Sequence, residues 1–490
     1  MNKTPDLAAA PCMPAGTRRW CCAILLYALP AGLVCFGRLG ATDVVSMEGI
    51  VADGARTMIR TGDYVVPRLY GEVYTNKPPL VYWLAAASFT CWGGETEWSL
   101  RFPMAASVFL MGVVVLFLLG KMLGPRPGCL CGLAAVTSLL MIQKVRMAEF
   151  DGPLAAGTGL AMVAACMNLA LARPRLGLWV IGYAALAFGF LAKGVPALAI
   201  YGTGLFVAAL GTRTLRRLFT PAHLLGVAVF AVPVCVWCLI AYQRAGMEVF
   251  QQHFDEIRSR SAAWTLRSFG ITLLKPLIVA VLFLPWSPIA LPTLSRDWRL
   301  GRSEVVRRLI SAAWCFVACG IGVFMLSAAQ GSRYYLPLCA PIGILAGLAA
   351  DSSLDGLAAL PRRRRWAIFG GAVILLAIPA TWAVDTFAVQ PYRTRSRSFR
   401  AVAASFSPNL PDDAVVWTES NDSYSSLFFY LRHPVRSFSL ESGRPPLGAY
   451  VVLPSKRFAV FRGNGNCVST ELGRATHRRH EFTLARIGPP

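Results

Sequence analysis

Eleven apolar runs of about span length decide what this chain can become. They lie near residues 20–38, 102–120, 128–143, 153–172, 177–192, 195–211, 222–242, 272–294, 309–328, 335–350 and 366–389. A helix needs about 20 consecutive apolar residues to cross hydrocarbon. Inside a bilayer no water is available for backbone groups, so such runs have to be helices. Charge content agrees: 15% of the residues are charged, against about a quarter in a soluble domain. The expected fold is mainly α, a polytopic transmembrane helical bundle of about 11–13 spans.

The net charge of +23 suggests nucleic acid as a partner until its placement is read. With residues 1–19 as a cytoplasmic tail, the basic turns fall on one side. These are Lys121 and Arg126; Arg173 and Arg175; Arg213, Arg216 and Arg217; Arg296, Arg299, Arg302, Arg307 and Arg308; and Arg362 to Arg365. Positive charge kept inside, near anionic headgroups, explains this pattern. Membrane lipids are therefore expected as partners, and no nucleic acid. Arg18 and Arg19 precede the first apolar run, but Leu33 to Gly40 offers no small-residue cleavage site, so an uncleaved span is expected. Most of the 14 cysteines lie in apolar runs, where a thiol is a small hydrophobe. Cys235-Val-Trp-Cys238 lacks the context of a redox or zinc site, and Cys467 is alone in the tail.

Pro79 to Trp92 is apolar but short. Counted as a span, it would move the later arginine-rich loops outside, so it reads as an interfacial or re-entrant helix. That parity places Glu48, Asp53, Lys77, Glu149, Asp151, Lys193, His253, Asp255, Glu256, Arg258, Arg260 and Arg333 on the outer face. Three parts follow: the tail 1–19, a transmembrane domain 20–390 with its first outer loop at 39–101, and an extracytoplasmic domain 391–490. In the last, Ala414 to Thr418 and Ala449 to Leu453 alternate like strands and Phe428 to Leu431 suits a helix, giving a small α/β unit.

Several charged groups at the outer ends of spans are candidates for chemistry. Asp151 begins a span; an ionisable group at that depth is either functional or an interfacial carboxylate paired with Arg146 or Lys144. Lys193 either binds phosphate or snorkels to the interface. In Lys77-Pro78-Pro79 the prolines fix the backbone behind an ammonium aimed at the membrane surface, where a lipid phosphate is a natural partner. Arg258 and Arg260 beside His253 have the chemistry to clamp an anion, and Arg333 with Tyr334 and Tyr335 either grips a phosphate or joins an aromatic belt. No P-loop, GxSxG, HExxH or GxGxxG in a strand–helix setting occurs. Carboxylates and cations against lipid fit transfer of a group from a lipid phosphate to a hydroxyl. A transporter or flippase and an assembly protein presenting its tail are the competing readings, though no repeated halves with broken spans are seen.

The stretch SMEGIVADGARTMIRTGDYVVPRLYGEVYTNKPPLVYWL resembles the first outer loop of the bacterial polyprenyl-phosphate-dependent glycosyltransferases of the GT-C class. That group includes the aminoarabinose lipid A transferase and protein mannosyltransferase-like proteins. AEFDGPLAA, FLAKGVPAL, LPWSP (284–288) and SRYYLPL (332–338) extend the resemblance over roughly residues 20–350. It implies an enzyme that moves a sugar from a polyprenyl-phosphate donor to a hydroxyl acceptor of the cell envelope, whether lipid A, another lipid, a glycan or a protein serine. It implies Glu48 as catalytic base with Asp53 in reserve, Asp151 as second acid, and Lys77 as holder of the lipid phosphate. Arg258, Arg260, Arg333 and Tyr335 match as further phosphate contacts. The family's Asp-Glu reads Met47-Glu48 here, and its Glu-Lys-Pro reads Asn76-Lys77-Pro78. Some relatives use that glutamate for a metal; a divalent metal stays an open option, with His253 its candidate ligand. The expected reaction is a single inverting displacement at the outer face of the cytoplasmic membrane.

Overall fold

The computed structural model describes residues 15–45, 47–260, 266–325, 331–358, 376–395, 397–419, 424–439, 444–463, 469–477 and 480–488. At 256, 257, 259, 260, 266–269 and 356–358 it describes the backbone alone. Arg362 to Arg365, Cys467 and much of the run 366–389 lie outside the described residues.

Among the described residues, seven helices are long and apolar enough to cross a membrane: Gly16–Phe36, Glu97–Leu123, Asp151–Ala170, Leu176–Lys193, Pro221–Ala245, Glu304–Met325 and Ser332–Asp355. The expected run 272–294 is a pair, Gly270–Leu282 and Trp286–Leu294, bent by 95°. Pro285 stands at that break, where its ring and missing N–H oppose a continuous helix. The run 128–143 is also divided, into Pro125–Val136 and Leu139–Lys144. There the Thr137 hydroxyl turns back to Leu133 O at 2.7 Å, and Ser138 caps the second helix at Met141 N. Val195–Gly211 has 17 residues. Leu80–Cys91 has 12 residues, about 18 Å at 1.5 Å per residue, too short to cross. Every described cysteine is a free thiol.

Asp151–Ala170 is the buried centre of the bundle. Small residues make this packing feasible without a hydrophobic drive between helices. Gly157 meets Gly189 of Leu176–Lys193 so closely that a Cβ on Gly189 would lie 2.7 Å from Thr158 Oγ1. Because these two helices run antiparallel, the start of one (Asp151) and the end of the other (Lys193) meet at the same end of the bundle. The arginine turn at 212–217 is at the other end, where Arg217 donates to Leu171 O at 2.7 Å.

The tail folds into a five-stranded mixed sheet. Val416–Glu419 pairs in parallel with Val435–Phe438 on one side and Tyr450–Pro454 on the other. Next come His480–Ile487 and then Ser469–His477, both antiparallel. Helix Ser425–Leu431 carries this unit onto the first loop. Ile50, Met58, Tyr70 and Tyr82 share one core with Phe406, Phe428 and Phe482. Backbone bonds join the two as well: Ser437 N–H donates to Tyr70 O at 2.8 Å, and Val44 N–H to Tyr430 Oη at 2.7 Å.

Candidate active site

A cleft with about 520 Å³ of open space sits where the ends of the buried helices meet the first loop. Its lining includes Met47, Lys77, Glu149, Asp151, Lys193, His253, Arg333 and Tyr334. These residues come from six separate segments, so only the folded bundle assembles them.

Asp151 opens its helix and is 2% exposed. Its Oδ1 pairs with the Lys193 ammonium, which also lies 4.7 Å from the centre of the Tyr334 ring. Such a pair offsets the cost of taking both charges out of water, and removing one partner would leave the other stranded. Neither partner anticipated for Asp151 is used. Lys144 pairs instead with Glu149 at 2.9 Å, and Arg146 with Asp385 at 2.5 Å. Burial pushes the Glu149 carboxyl above its usual range, with Lys144 opposing the shift.

The opposite wall comes from the loop after the first outer helix. Lys77 Nζ donates to Asn76 O at 2.9 Å, and His253 Nδ1 lies 3.1 Å from the same oxygen. This loop is pinned to helix Glu248–Arg260: Thr75 N–H donates to Gln252 Oε1 at 2.8 Å, and Gln252 Nε2 donates to Val73 O at 2.9 Å. Gly194 joins Lys193 to the next helix at φ +83°, where a side chain is strained. A Cβ there would also lie 2.7 Å from His253 Cε1.

Two anticipated bases are held elsewhere. Glu48 is fully buried; its Oε1 accepts from Arg101 Nε at 2.7 Å and Ala148 N–H at 2.9 Å. Its Oε2 accepts from Arg101 Nη2 at 2.8 Å and Val45 N–H at 3.1 Å. Met47 faces the cleft in its place. Asp53 accepts from Tyr70 N–H at 3.0 Å, while its Oδ1 is buried without a hydrogen-bond partner. Burial raises its pKa, opposed first by that hydrogen bond and then by Arg56.

The remaining anticipated contacts divide the same way. Arg258 is exposed on its helix and does not line the cleft; the Arg260 side chain lies outside the described residues. Tyr335 is buried beside Phe324, its ring 5.4 Å away, and its neighbour Tyr334 lines the cleft instead. The structure therefore brings together Asp151, Lys193, Lys77, Arg333 and His253, but not Glu48, Asp53, Arg258 or Tyr335. Sequence reasoning named Tyr334 beside Arg333 and Tyr335, but it placed Glu149 on the outer face without selecting it for chemistry, although Glu149 is two residues from Asp151. Among the described residues, no group of three or more His, Cys, Asp or Glu side chains could hold a metal ion.

Residues 76–238 match the sequence family described as dolichyl-phosphate-mannose-protein mannosyltransferase. An undecaprenyl phosphate-alpha-4-amino-4-deoxy-L-arabinose arabinosyl transferase of Aeromonas salmonicida is 26% identical over 69% of this chain and 62% of its own. Its namesake from Pectobacterium atrosepticum is 27% identical, over 67% and 59%. The chain thus spans about three fifths of the length of these curated relatives. ArnT from Cupriavidus metallidurans, in a crystal structure bound to undecaprenyl phosphate, has the same fold: TM-score 0.71 at 20% identity, covering 94% of this chain and 97% of that one. The archaeal oligosaccharyltransferase AglB from Archaeoglobus fulgidus superposes with a TM-score of 0.52 at 11% identity, over 91% and 71%. This chain is therefore a multi-pass membrane protein with the fold of ArnT over nearly its whole length, carrying the mannosyltransferase family pattern over residues 76–238.

Proposed function

We propose that the protein is a glycosyltransferase of the cytoplasmic membrane, moving a sugar from a polyprenyl-phosphate donor to a hydroxyl acceptor at the outer face. One observation carries this reading: three cations (Lys77, Lys193, Arg333) and two carboxylates (Glu149, Asp151) converge in one cleft at one end of an apolar bundle. The relatives named as undecaprenyl phosphate-dependent arabinosyl transferases give the donor class its support. Undecaprenyl phosphate would keep its tail in hydrocarbon while its phosphate meets Lys77 and Arg333.

The chemistry follows from charge. As the bond from the anomeric carbon to the phosphate oxygen breaks, negative charge grows on the phosphate, and preorganised cations in a site of low dielectric stabilise it. Asp151 holds Lys193 in place and balances the cluster before substrate arrives. A carboxylate takes the proton of the attacking hydroxyl, and attack from the face opposite the phosphate inverts the anomeric centre. The charged groups of the cleft sit at helix ends rather than at mid-height of broken spans, which lends transport no support.

Purified protein in nanodiscs would be given undecaprenyl phosphate-4-amino-4-deoxy-L-arabinose, with lipid A as acceptor, and release of undecaprenyl phosphate followed. Acceptor-dependent release that falls about 100-fold or more in Lys77→Ala supports the reading. If wild type consumes no donor from a bacterial polyprenyl-phosphate sugar extract either, the reading is wrong.

A further inference from the structure

We propose that Glu149 is the group that takes the proton from the acceptor hydroxyl. This deepens the glycosyltransferase reading and rests on it. Of the acids considered from sequence, Glu48 and Asp53 are turned away, and where the first outer helix starts the cleft meets the thioether of Met47, which has no proton affinity to offer. Two carboxylates line the cleft, and their surroundings differ.

Asp151 is committed to the cations. It pairs with buried Lys193, and the Arg333 guanidinium is within electrostatic reach. Protonating Asp151 would leave a lysine that is 5% exposed without its counter-charge, which opposes use as a base. Glu149 is held by Lys144 instead, whose side chain keeps 22% of its exposure. When Glu149 gains a proton, that ammonium can turn to water. Burial also lifts the Glu149 carboxyl above the usual range, toward the working pH of a base. The segment carrying it is fixed at both ends, by Ala148 N–H on Glu48 and by Asp151 on Lys193, so its carboxylate has a set position.

The step balances without another reactant. The acceptor oxygen forms its bond to the anomeric carbon, and the bond from that carbon to the phosphate oxygen breaks with both electrons going to the phosphate. The hydroxyl proton moves to Glu149. Polyprenyl phosphate leaves as the dianion, and Glu149 returns its proton to solvent.

The test compares wild type, Glu149→Gln, Glu149→Asp and Asp151→Asn in nanodiscs, using the assay above from pH 4.5 to 8.5 and, separately, binding of undecaprenyl phosphate. Glu149→Gln is expected to lower kcat by about 10²- to 10⁴-fold and to remove the acid limb of the pH profile. Its affinity for undecaprenyl phosphate should stay within about threefold of wild type, since the base is not a phosphate contact. Glu149→Asp should recover part of kcat and keep an acid limb. Glu149→Gln that turns over within about fivefold of wild type with the limb intact overturns the assignment. So does a wild-type profile with no acid limb, which needs no variant to fold. Failure of wild type to consume donor is a separate result and removes the reaction itself.

Discussion

Neighbouring residues have opposite roles at the first loop. Successive residues on a helix point about 100° apart, so at the start of Met47–Thr61 one side chain faces the cleft and the next faces Arg101. Glu48 is thereby a fixed part of the wall. Glu48→Gln should lower stability by about 3–5 kcal/mol by leaving the Arg101 guanidinium, 3% exposed, without its counter-charge. Denaturation in nanodiscs would measure this, and Glu48→Met with Arg101→Met should recover part of it. Asp53 makes stability depend on pH. Its folded pKa lies above its ordinary value because of burial, so the folded state binds the extra proton. Stability is then greatest below the usual carboxylate pKa and falls as pH rises through the folded value. Asp53→Asn keeps an acceptor for Tyr70 N–H and removes the titration. The difference in melting temperature, Asp53→Asn minus wild type, should therefore grow between pH 4 and 7, and a constant difference would count against it. Much of the residue scale was legible, since charges at the ends of apolar runs are few and Lys77, Asp151, Lys193, His253 and Arg333 could be selected by position. What was not legible was side-chain direction. Tyr334 and Tyr335 sit in a 3-10 turn, Ser332–Leu338, whose three residues per turn point adjacent rings about 120° apart.

At the scale of elements, span edges and the short helix Leu80–Cys91 follow from hydropathy, whereas the breaks do not. The interruption at Thr137 and Ser138 comes from two hydroxyls that bond the local backbone, a competition invisible to an average over apolar residues. The tail's docking was equally hidden, because it depends on contacts hundreds of residues apart. Two glycines set the approach of elements. Gly49 faces the backbone of Ser425 and Ser426 with no room for a Cβ. Gly49→Ala should therefore push Ser425–Leu431 off the first loop, seen as faster proteolysis of the tail and a lower melting temperature. Gly194→Ala combines strain at φ +83° with a clash on His253. It is expected to cost about 1 kcal/mol or more from the backbone alone, and to shift helix Glu248–Arg260 with the loop bearing Lys77. Donor turnover should fall more in Gly194→Ala than in Gly202→Ala, whose Cβ meets nothing within 4 Å.

Over the whole molecule, the two ends of the bundle differ in kind. Acid–base pairs cluster where the tail covers the first loop: Asp151 with Lys193, Glu149 with Lys144, Glu48 with Arg101, and Arg56 with Glu95 while Arg56 also donates to Phe428 O at 3.2 Å. The other end carries basic turns, with Arg217 bonded to helix-end carbonyls and Arg126 pairing Asp351 at 2.6 Å. The positive-inside bias acts on short basic turns such as 212–217, and acidic groups contribute little to orientation. The expected outcome is a cytoplasmic basic end, with the cleft and its tail outside. The bias was readable from the sequence, but that the tail shares a core with the first loop was not. Sidedness has a direct test. Alkaline phosphatase joined after Pro490 should be active and a green fluorescent protein there dark, because the first folds only outside the cytoplasm. Joined after Arg217, the pair should reverse. An active phosphatase after Arg217 with a bright fluorescent protein after Pro490 would break the parity that makes Leu80–Cys91 a non-spanning helix, and would put Asp151 and Lys193 on the cytoplasmic side.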